Sequence, residues 1–371
     1  MKDIAKKLKE LRISRGLTLQ QAARLAGFRN FQTLSKIETG IRGIKAEELI
    51  SLSKVYSFDI NFFLLDRARP GEKHIFWRSN PNPPKDRSAQ DKFSMFFERY
   101  MHLVEMLELT RVSFNLPTFS EETMNLKIAD SYGERYAELL KLGDRPALSI
   151  SSTLENEYNL PIFYLPLPEG ASAISLIANG NGAICVSYNE TPWRQRFDIA
   201  HELFHIIYKK SFSQKCGEDD LTFFERCANA FASAILLPKN TLEREIERRR
   251  GAEKIGIPTL IAMACDFGVS LSALIWRLVN IGRLKKTVAE KILNADAVKE
   301  YDKNFRKKEA RDNPYISQKY VCMVFEAVNQ GLLTRMRAAE YLNTSISKLD
   351  KIFLNAGLIL KEESDIEITL M

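Results

Sequence analysis

The chain has 371 residues, of which 45% are hydrophobic, so it is long enough to form two or three globular domains with cores of their own. Aromatic residues make up 10% of the sequence, which excludes a disordered chain. The net charge of +7 is modest, and its meaning depends on where the charge lies.

The cysteines and the apolar runs indicate the compartment. The five cysteines are odd in number, widely spaced and without a CxxC pair, which is typical of reduced thiols. The first residues, Met1 to Lys7, lack the apolar stretch of a signal peptide. No run approaches the roughly eighteen apolar residues of a membrane span. We therefore expect a cytoplasmic protein that does not enter a membrane.

The first 66 residues are predicted to form short helices. Thr18 begins the second helix, and Gln21 three residues later completes a capping box. The alanines of this helix allow the close crossing that a helix-turn-helix requires. Up to Asp66 there are twelve basic and seven acidic side chains, an excess of five positive charges. Most of the positive charge of the chain therefore lies here, which makes nucleic acid a plausible partner.

Two segments of this region, Leu17–Ala23 and Leu34–Gly40, resemble the Xre/Cro-type helix-turn-helix. The resemblance implies that residues 1–66 bind DNA, with the third helix in the major groove. Phe31 stands where Gln is common, and the turn near Arg29 is one residue longer, so a protein-binding use of the domain is the alternative. The candidate base contacts are Asn30, Gln32, Thr33 and Lys36, and the candidate phosphate contacts are Arg29 and Arg42.

The remaining chain alternates between helical and extended patterns. Residues 67–90 are rich in proline and are predicted to be a linker. Amphipathic helices are expected over 91–109 and 125–142, followed by short strands over 162–165, 173–178 and 183–188. Thr191 and Pro192 are predicted to begin a helix. Residues 285–371 are predicted to be a helical extension, and its last part is expected to form a small helix-turn unit to which we assign no chemistry. No internal repeat is evident.

The pattern His201-Glu202-Leu203-Phe204-His205 predicts a metal site. Residues four apart lie on one face of a helix, so both imidazoles can bind one ion. Glu202 lies one position further round the helix, where it can act as a general base toward water. With four histidines in the chain, this pattern is expected by chance only roughly 0.005 times. The alternative is a charged surface helix with two incidental histidines.

A catalytic zinc takes three protein ligands, and no histidine follows His205. We favour Glu225 as the third ligand, because Ala228 and Ala232 share its helix face and allow close packing. Asn229, one turn later, is expected to hold the Glu225 carboxylate as a supporting partner. The competing ligands are Glu218, Asp219, Asp220 and, less favoured, Cys216.

The segments Arg194–His205, Glu225–Ala232 and Leu236–Pro238 resemble the ImmA/IrrE metallopeptidase family. By matching motifs, the resemblance implies a zinc site of His201, His205 and Glu225, with Glu202 as the catalytic base. It also implies an α+β architecture, in which a zincin-like metallopeptidase domain over 91–284 follows the all-α helix-turn-helix domain. Phe204 departs from the family by replacing Gly, and a bulky side chain there could narrow the cleft.

These observations predict a zinc-dependent endopeptidase fused to a DNA-binding domain. The resemblance implies that its substrate is a transcriptional repressor or another regulatory protein, in a stress- or prophage-linked response. We expect strand 183–188 to be an edge strand that aligns the substrate by strand addition. The rival is a DNA-binding regulator whose peptidase fold is inactive and serves as a sensor or partner-binding module. The oligomeric state, including a homo-oligomer, is left open.

Overall fold

The computed structural model describes residues 2–14, 17–56, 74–77, 88–109, 116–119, 124–178, 180–208, 218–250, 255–306 and 316–359. The chain divides into two compact units, residues 1–71 and 72–371. Each unit has a hydrophobic core of its own, as the length and composition predict.

Four short helices make up the described part of the first unit. They are α1 (Lys2–Ser14), α2 (Leu19–Leu25), α3 (Phe31–Glu38) and α4 (Ala46–Val55). The capping box is confirmed, because the Thr18 side chain accepts from the Gln21 N–H and the Gln21 side chain accepts from the Thr18 N–H. Gly27 ends α2 with φ at +76°, a conformation that glycine adopts without strain. The core residues are Leu8, Ala22, Ala23, Leu34, Ile37, Leu49, Leu52 and Tyr56.

An ion pair joins α1 to α3. The Arg12 guanidinium donates to both carboxylate oxygens of Glu38, at 2.8 and 2.9 Å, and also to the carbonyl of Leu17. The Glu38 side chain is only 3% exposed, so it would be costly to leave unpaired. The bidentate contact therefore helps to hold α1 and α3 in a fixed arrangement.

The second unit contains a four-stranded sheet in the order β1-β3-β4-β2. The strands are β1 (His74–Trp77), β2 (Ile162–Leu165), β3 (Ala173–Ala178) and β4 (Asn181–Ser187). The three strands expected between 162 and 188 are thus present. β1 lies within 67–90, the segment predicted to be a linker, and pairs antiparallel with β3. Local sequence patterns do not reveal this strand, because its pairing partner lies about a hundred residues away in the chain.

β4 is an inner strand, and this corrects our expectation of an edge strand. It pairs antiparallel with β3 on one side and parallel with β2 on the other. Both rows of its backbone groups are therefore used, and a substrate cannot be added there. The parallel pairing with β2 was missed because the sequence offers no sign of which strand returns beside β4.

The two faces of the sheet are covered by different helices. Along β4, Ile184 and Val186 belong to the core that contains α8 (Pro192–Ile207), whereas Cys185 faces the opposite core. The first core also includes α6 (Leu126–Leu139), α7 (Pro146–Asn156), α9 (Glu218–Leu236), α10 (Lys239–Arg250), α11 (Ile257–Asp266) and α12 (Leu271–Asn280). The second core is formed by α5 (Ser88–Met106) with α15 (Gln318–Asn329), α16 (Arg335–Tyr341) and α17 (Ile346–Asn355).

The charged stretch after residue 284, which begins the predicted helical extension, contains α13 (Lys286–Asn294) and α14 (Asp296–Phe305). Helix α7 was not predicted, because its serines and threonine weaken the apolar periodicity. Among the described residues, no single helix is long and apolar enough to cross a membrane. The pair α11 and α12 meets that length and composition only when taken together, across a bend of 102°.

Candidate metal centre

Helix α8 carries the predicted metal motif through the middle of the second unit. Thr191 is its N-cap and Pro192 its first residue, as predicted, because proline lacks the N–H that a first turn cannot satisfy. Every residue from Asp198 to Ile207 is buried. A helix that is buried all round is held rigidly by its neighbours, which gives the histidines fixed positions.

Helix α9 carries the third candidate ligand and packs against α8 and α6. The contact with α6 is close at Gly133, where a Cβ atom would come within 2.6 Å of the Ala234 Cβ and 2.5 Å of the Phe231 carbonyl oxygen. Any side chain at Gly133 would therefore push α9 away. Ala228 and Ala232 are fully buried, consistent with the close packing that their size predicts.

The side chains of three residues converge between α8 and α9. His201 Nε2 lies 3.2 Å from His205 Nε2 and 3.2 Å from Glu225 Oε2, and His205 Nε2 lies 3.4 Å from Glu225 Oε1. These residues are the group that can hold a metal ion within the part of the chain that the structure describes. The ligand set predicted from the spacing of the motifs is thus brought together.

The geometry of this site fits a tetrahedral ion. Two ligand atoms that each lie about 2.0–2.1 Å from such an ion are about 3.3 Å apart. The two imidazole Nε2 atoms are 3.2 Å apart, and each lies 3.2 or 3.4 Å from one of the two Glu225 oxygens. Burial by itself would raise the pKa of Glu225, but hydrogen bonds and charge from His201 and His205 outweigh it and hold the pKa well below its usual range. Glu225 is therefore ionised and ready to bind a cation.

Asn229 supports the site through a different residue from the one expected. Its Oδ1 lies 3.0 Å from His201 Nδ1, so it orients the imidazole and not the Glu225 carboxylate. Asn229 reaches His201 because α9 packs against α8, a contact that the sequence alone does not reveal. An Nδ1–H that donates to Oδ1 leaves Nε2 unprotonated, which is the state that binds a metal, and fixing that state is the usual role of such partners.

Phe204 does not line the cleft, and its ring packs edge-on against that of His205, with 5.7 Å between the centroids. Its side chain is fully buried, and its ring lies 5.6 Å from that of Phe231 and 5.5 Å from that of Tyr208. Phe119 approaches at 6.1 Å in an edge-on arrangement. The bulky residue that replaces Gly therefore fills an aromatic core and does not narrow the cleft.

Comparison with protein families assigns both parts of the chain. Residues 155–279 match the M78 peptidase family model described as the IrrE N-terminal-like domain, and residues 8–63 match a helix-turn-helix model. The chain joins a helix-turn-helix domain to an IrrE N-terminal-like domain. The first match contains His201, His205 and Glu225, so the candidate metal centre lies within the IrrE-like domain.

Searches against whole proteins find only distant similarity. A sequence search finds no match among curated proteins. A Mycobacterium tuberculosis transcriptional regulator is 18% identical over 44% of this chain and 49% of that chain, with a TM-score of 0.33. The chain thus spans about half the length of that regulator. Bacillus thuringiensis PlcR, in complex with the peptide PapR7 and DNA, is 10% identical over 96% of this chain and 94% of that chain, with a TM-score of 0.16. Similarity at these TM-scores does not establish a shared fold or function.

Glu202 is fully buried within the IrrE-like domain, directly after the first histidine. The helix turns it about 100° from His201, so it lies beside the metal ligands without sharing their direction. Burial raises the pKa of Cys185 on β4, and the charge of Glu202 raises it further. The competing ligands Glu218, Asp219, Asp220 and Cys216 lie outside the residues whose side chains the structure describes.

The IrrE-like domain has a cleft of about 680 Å³, and its lining residues do not include His201, His205 or Glu225. Asn229, which contacts His201, lines it, so the cleft and the centre share a side chain. Trp193 and Phe197 line it from α8, and Trp276 lines it from α12. Sequence reasoning missed these aromatic residues, because they lie far apart in the chain and share no motif.

The predicted DNA contacts are distributed around α3 of the helix-turn-helix domain. Arg29, Asn30, Gln32 and Lys36 are exposed, and Thr33 is half-buried. Asn30 is also the N-cap of α3, since its Oδ1 accepts from the Thr33 N–H and hydroxyl. The structure therefore gives Asn30 and Thr33 a capping role in addition to any contact with bases.

Arg42 differs from the other predicted contacts. Its Nη2 donates to Glu48 Oε1 at 3.0 Å, and its Nη1 is buried. An arginine held in this way is poorly placed for a phosphate, whereas Arg29 is exposed. Arg29 is thus the better candidate for a phosphate contact.

Proposed function

We propose that the chain is a cytoplasmic DNA-binding regulator whose IrrE-like domain is a zinc-dependent endopeptidase. The observation that carries this proposal is the convergence of His201, His205 and Glu225, with Glu202 beside them on the same buried helix. A lone metal site could be structural, but a structural zinc usually has four protein ligands. Three ligands and an adjacent carboxylate are the arrangement of a hydrolase.

Each residue of the site would have a separate role in hydrolysis. Zinc, when bound, would act as a Lewis acid that polarises the scissile carbonyl and makes water more acidic. His201, oriented by Asn229, would hold the ion together with His205 and Glu225. Glu202 would accept the proton of the attacking water and pass it to the leaving amine.

The cleft supports a peptide substrate with a large apolar side chain. Trp193, Phe197 and Trp276 give it apolar walls, and Arg226 adds an exposed cation. Its volume of about 680 Å³ lies within the usual range for ligand sites, which is about 300–1,000 Å³. A regulatory protein, such as a transcriptional repressor with an apolar residue next to the cleaved bond, is the substrate that we propose.

The burial of Glu202 favours a second candidate function. Its carboxylate is fully enclosed, so water must enter the site before Glu202 can act as a base. If water does not enter, the IrrE-like domain is an inactive module that holds a metal and binds a partner. The chain would then act as a DNA-binding regulator alone.

Glu202→Gln discriminates between the two candidates. The substitution keeps the size of the side chain and removes its basicity, so zinc content and melting temperature should remain as in the wild type. Hydrolysis should fall by on the order of 10²–10⁴. The measurement is mass spectrometry of protein N termini in cells that produce either form, together with elemental analysis of the purified proteins.

Wild-type cells should contain cleaved N termini that the Glu202→Gln cells lack. His205→Ala is the matched control, since it should lose both the zinc and the cleavage. Identical sets of N termini in all three strains would contradict the peptidase proposal and leave the regulator. Purified wild type without zinc would contradict both candidates.

The DNA-binding half of the proposal is supported by the match to the helix-turn-helix model and by the exposed residues of α3. Gln32 and Lys36 are exposed on this helix, as residues that meet a major groove must be. The excess of five positive charges over residues 1–66 favours a polyanionic partner. We therefore propose duplex DNA as the partner of residues 1–66.

A further inference from the structure

Helices α16 and α17, near the end of the second unit, repeat the local structure of α2 and α3. Both α2 and α16 have seven residues and begin after a threonine whose side chain accepts from the backbone N–H three positions later. Both bury alanines at their fourth and fifth positions, which lets the next helix cross closely. The corresponding residues are Thr18 and Thr334, Ala22 and Ala338, and Ala23 and Ala339.

The turns that follow these two helices also correspond. Gly27 and Asn343 each lie nine positions after the capping threonine, and both have positive φ, +76° and +49°. The next residue in each turn donates back to the second alanine at 2.9 Å, from Phe28 to Ala23 and from Thr344 to Ala339. Asparagine is among the few residues other than glycine that adopt this conformation readily. The chain therefore changes direction in the same way at both places.

The second helix of each pair presents the same pattern of burial. Its fourth residue is a fully buried leucine, Leu34 in α3 and Leu349 in α17. Its sixth residue is an exposed lysine, Lys36 in α3 and Lys351 in α17. The second residues, Gln32 and Ser347, are exposed as well. One residue fewer separates α16 from α17, which is why the sequence does not show an evident repeat.

The outer face of this second helix pair is open and carries cations. Lys348 and Lys351 are exposed on α17, and Arg335 on α16 is 45% exposed while it pairs with Asp350. The inner face is covered, since Tyr341 and Phe353 lie in the core shared with α5 and the sheet. The apolar side of the helix pair thus packs on the second unit. The side that faces solvent corresponds to the side of α3 that carries Gln32 and Lys36, the predicted DNA contacts.

We propose that α16 and α17 form a second helix-turn-helix that binds duplex DNA. Ser347 on α17 would face base edges, and Lys348 and Lys351 would contact phosphates. The chain would then hold DNA through two motifs, one in each compact unit. This inference rests on the geometry of the second unit and does not require that α3 binds DNA.

Charge reversal of matched lysines tests the proposal on the full chain. Lys36→Glu disables the first motif, Lys351→Glu the second, and Lys291→Glu is the control, an exposed lysine on α13 that belongs to neither motif. The probe is a fluorescent random-sequence duplex of about two helical turns, and its affinity is measured by anisotropy over a range of salt concentrations. Melting temperatures should be similar for all variants, because the three side chains are exposed.

The expected result is weaker binding in Lys351→Glu, with a slope of log affinity against log salt that is smaller by about one. The loss should also appear in the Lys36→Glu background, and the double variant should bind least. Equal binding by Lys351→Glu and Lys291→Glu would overturn the proposal, as would wild type that binds no duplex at low salt. If Lys36→Glu has no effect but Lys351→Glu does, the second motif binds DNA and the first does not.

The same helix pair could instead bind a protein, because the apolar side chains of Ile346 and Leu354 on α17 are 45% and 63% exposed. Light scattering of the same variants distinguishes this outcome. A change of oligomeric state in Lys351→Glu without a change in DNA affinity would overturn the proposal in favour of a contact between copies of the chain.

Discussion

His201 uses both nitrogens of its ring. Nε2 faces His205 and Glu225, and Nδ1 lies 3.0 Å from the side-chain oxygen of Asn229. A neutral imidazole carries one proton, and the Asn229 oxygen can only accept, so the proton belongs on Nδ1. Asn229 therefore selects the tautomer that binds metal and fixes the direction of the ring.

Asn229→Ala should weaken zinc binding by about 10- to 100-fold, because loss of such a partner leaves the imidazole free to rotate and to change tautomer. The fold should persist, since Asn229 is exposed. The measurement is a competition titration against a chromophoric chelator. Asn229→Asp is the matched control, since a carboxylate can accept the same proton and should keep the affinity near that of the wild type. Equal affinities for all three proteins would show that Asn229 has no orienting role.

The residues around Phe204 decide what effect its size has on the cleft. The sequence alone raised the prospect that a bulky residue in place of Gly would narrow the cleft. The ring instead packs among Phe119, Tyr208, Phe231 and the His205 imidazole, and it does not line the cleft. Such aromatic contacts stabilise the core that holds α8, so Phe204 supports the position of the site without entering it.

At the scale of the elements, Glu155 connects its own helix, α7, to β2 and to α15. The Ile162 N–H, at the start of β2, donates to its carboxylate, and Lys319 on α15 donates to its backbone carbonyl. Burial raises the pKa of Glu155 to about 7, although hydrogen bonds from Ser317 and Ile162 and the charge of Lys319 oppose the rise. The carboxyl is therefore more easily protonated in the folded protein than in the unfolded chain.

This raised pKa predicts that stability falls with rising pH. The contribution of Glu155 is fully present below its unfolded pKa of about 4.5 and is lost as the pH rises through about 7. The difference between pH 4.5 and pH 8 should reach up to about 3 kcal/mol. Glu155→Gln mimics the protonated form, so it should remove this part of the pH dependence and be more stable than wild type at pH 8.

Denaturant unfolding of both proteins between pH 5 and pH 8 checks this prediction. Glu157→Gln, an exposed neighbour on the same segment, is the control and should follow the wild type. The comparison between variants isolates Glu155 from the histidines, which also titrate in this range. Parallel curves for wild type and Glu155→Gln would mean that the carboxyl does not titrate on unfolding.

At the scale of the whole molecule, the candidate metal ligands all belong to one of the two compact units. His201, His205 and Glu225 lie in the unit of residues 72–371, whereas the helix-turn-helix domain lies in that of residues 1–71. A metal that binds only the native state stabilises the unit that holds it. We therefore expect metal removal to act on the second unit alone.

Hydrogen exchange read by mass spectrometry measures this effect in the full chain. After zinc is removed with a chelator, peptides from α8 and α9 should lose protection, whereas peptides from α2 and α3 should exchange as before. His205→Ala, with and without the chelator, is the control, since it should already resemble the metal-free protein. An equal loss of protection in α2 and α3 would show that the two units unfold together.

Several features of this protein could be predicted from the sequence because their physical cause is local. Thr18 and Gln21 are three residues apart and cap α2 as the capping box requires. His201 and His205 are four apart, which places both on one face of any helix that they form. The strands 162–165 and 173–178 also have the expected bounds. In each case the interacting groups lie within one turn or one strand.

Only the tertiary structure could decide the features that depend on distant partners. β1 joins the sheet through β3, nearly a hundred residues later, and β4 is an inner strand because β2 returns beside it. Asn229 orients His201 because α9 crosses α8 at that point. The correspondence of α16 and α17 with α2 and α3 lies in caps, burial and φ angles, and few side chains are shared. Long-range packing, which leaves no periodic trace in the sequence, determined all of these features.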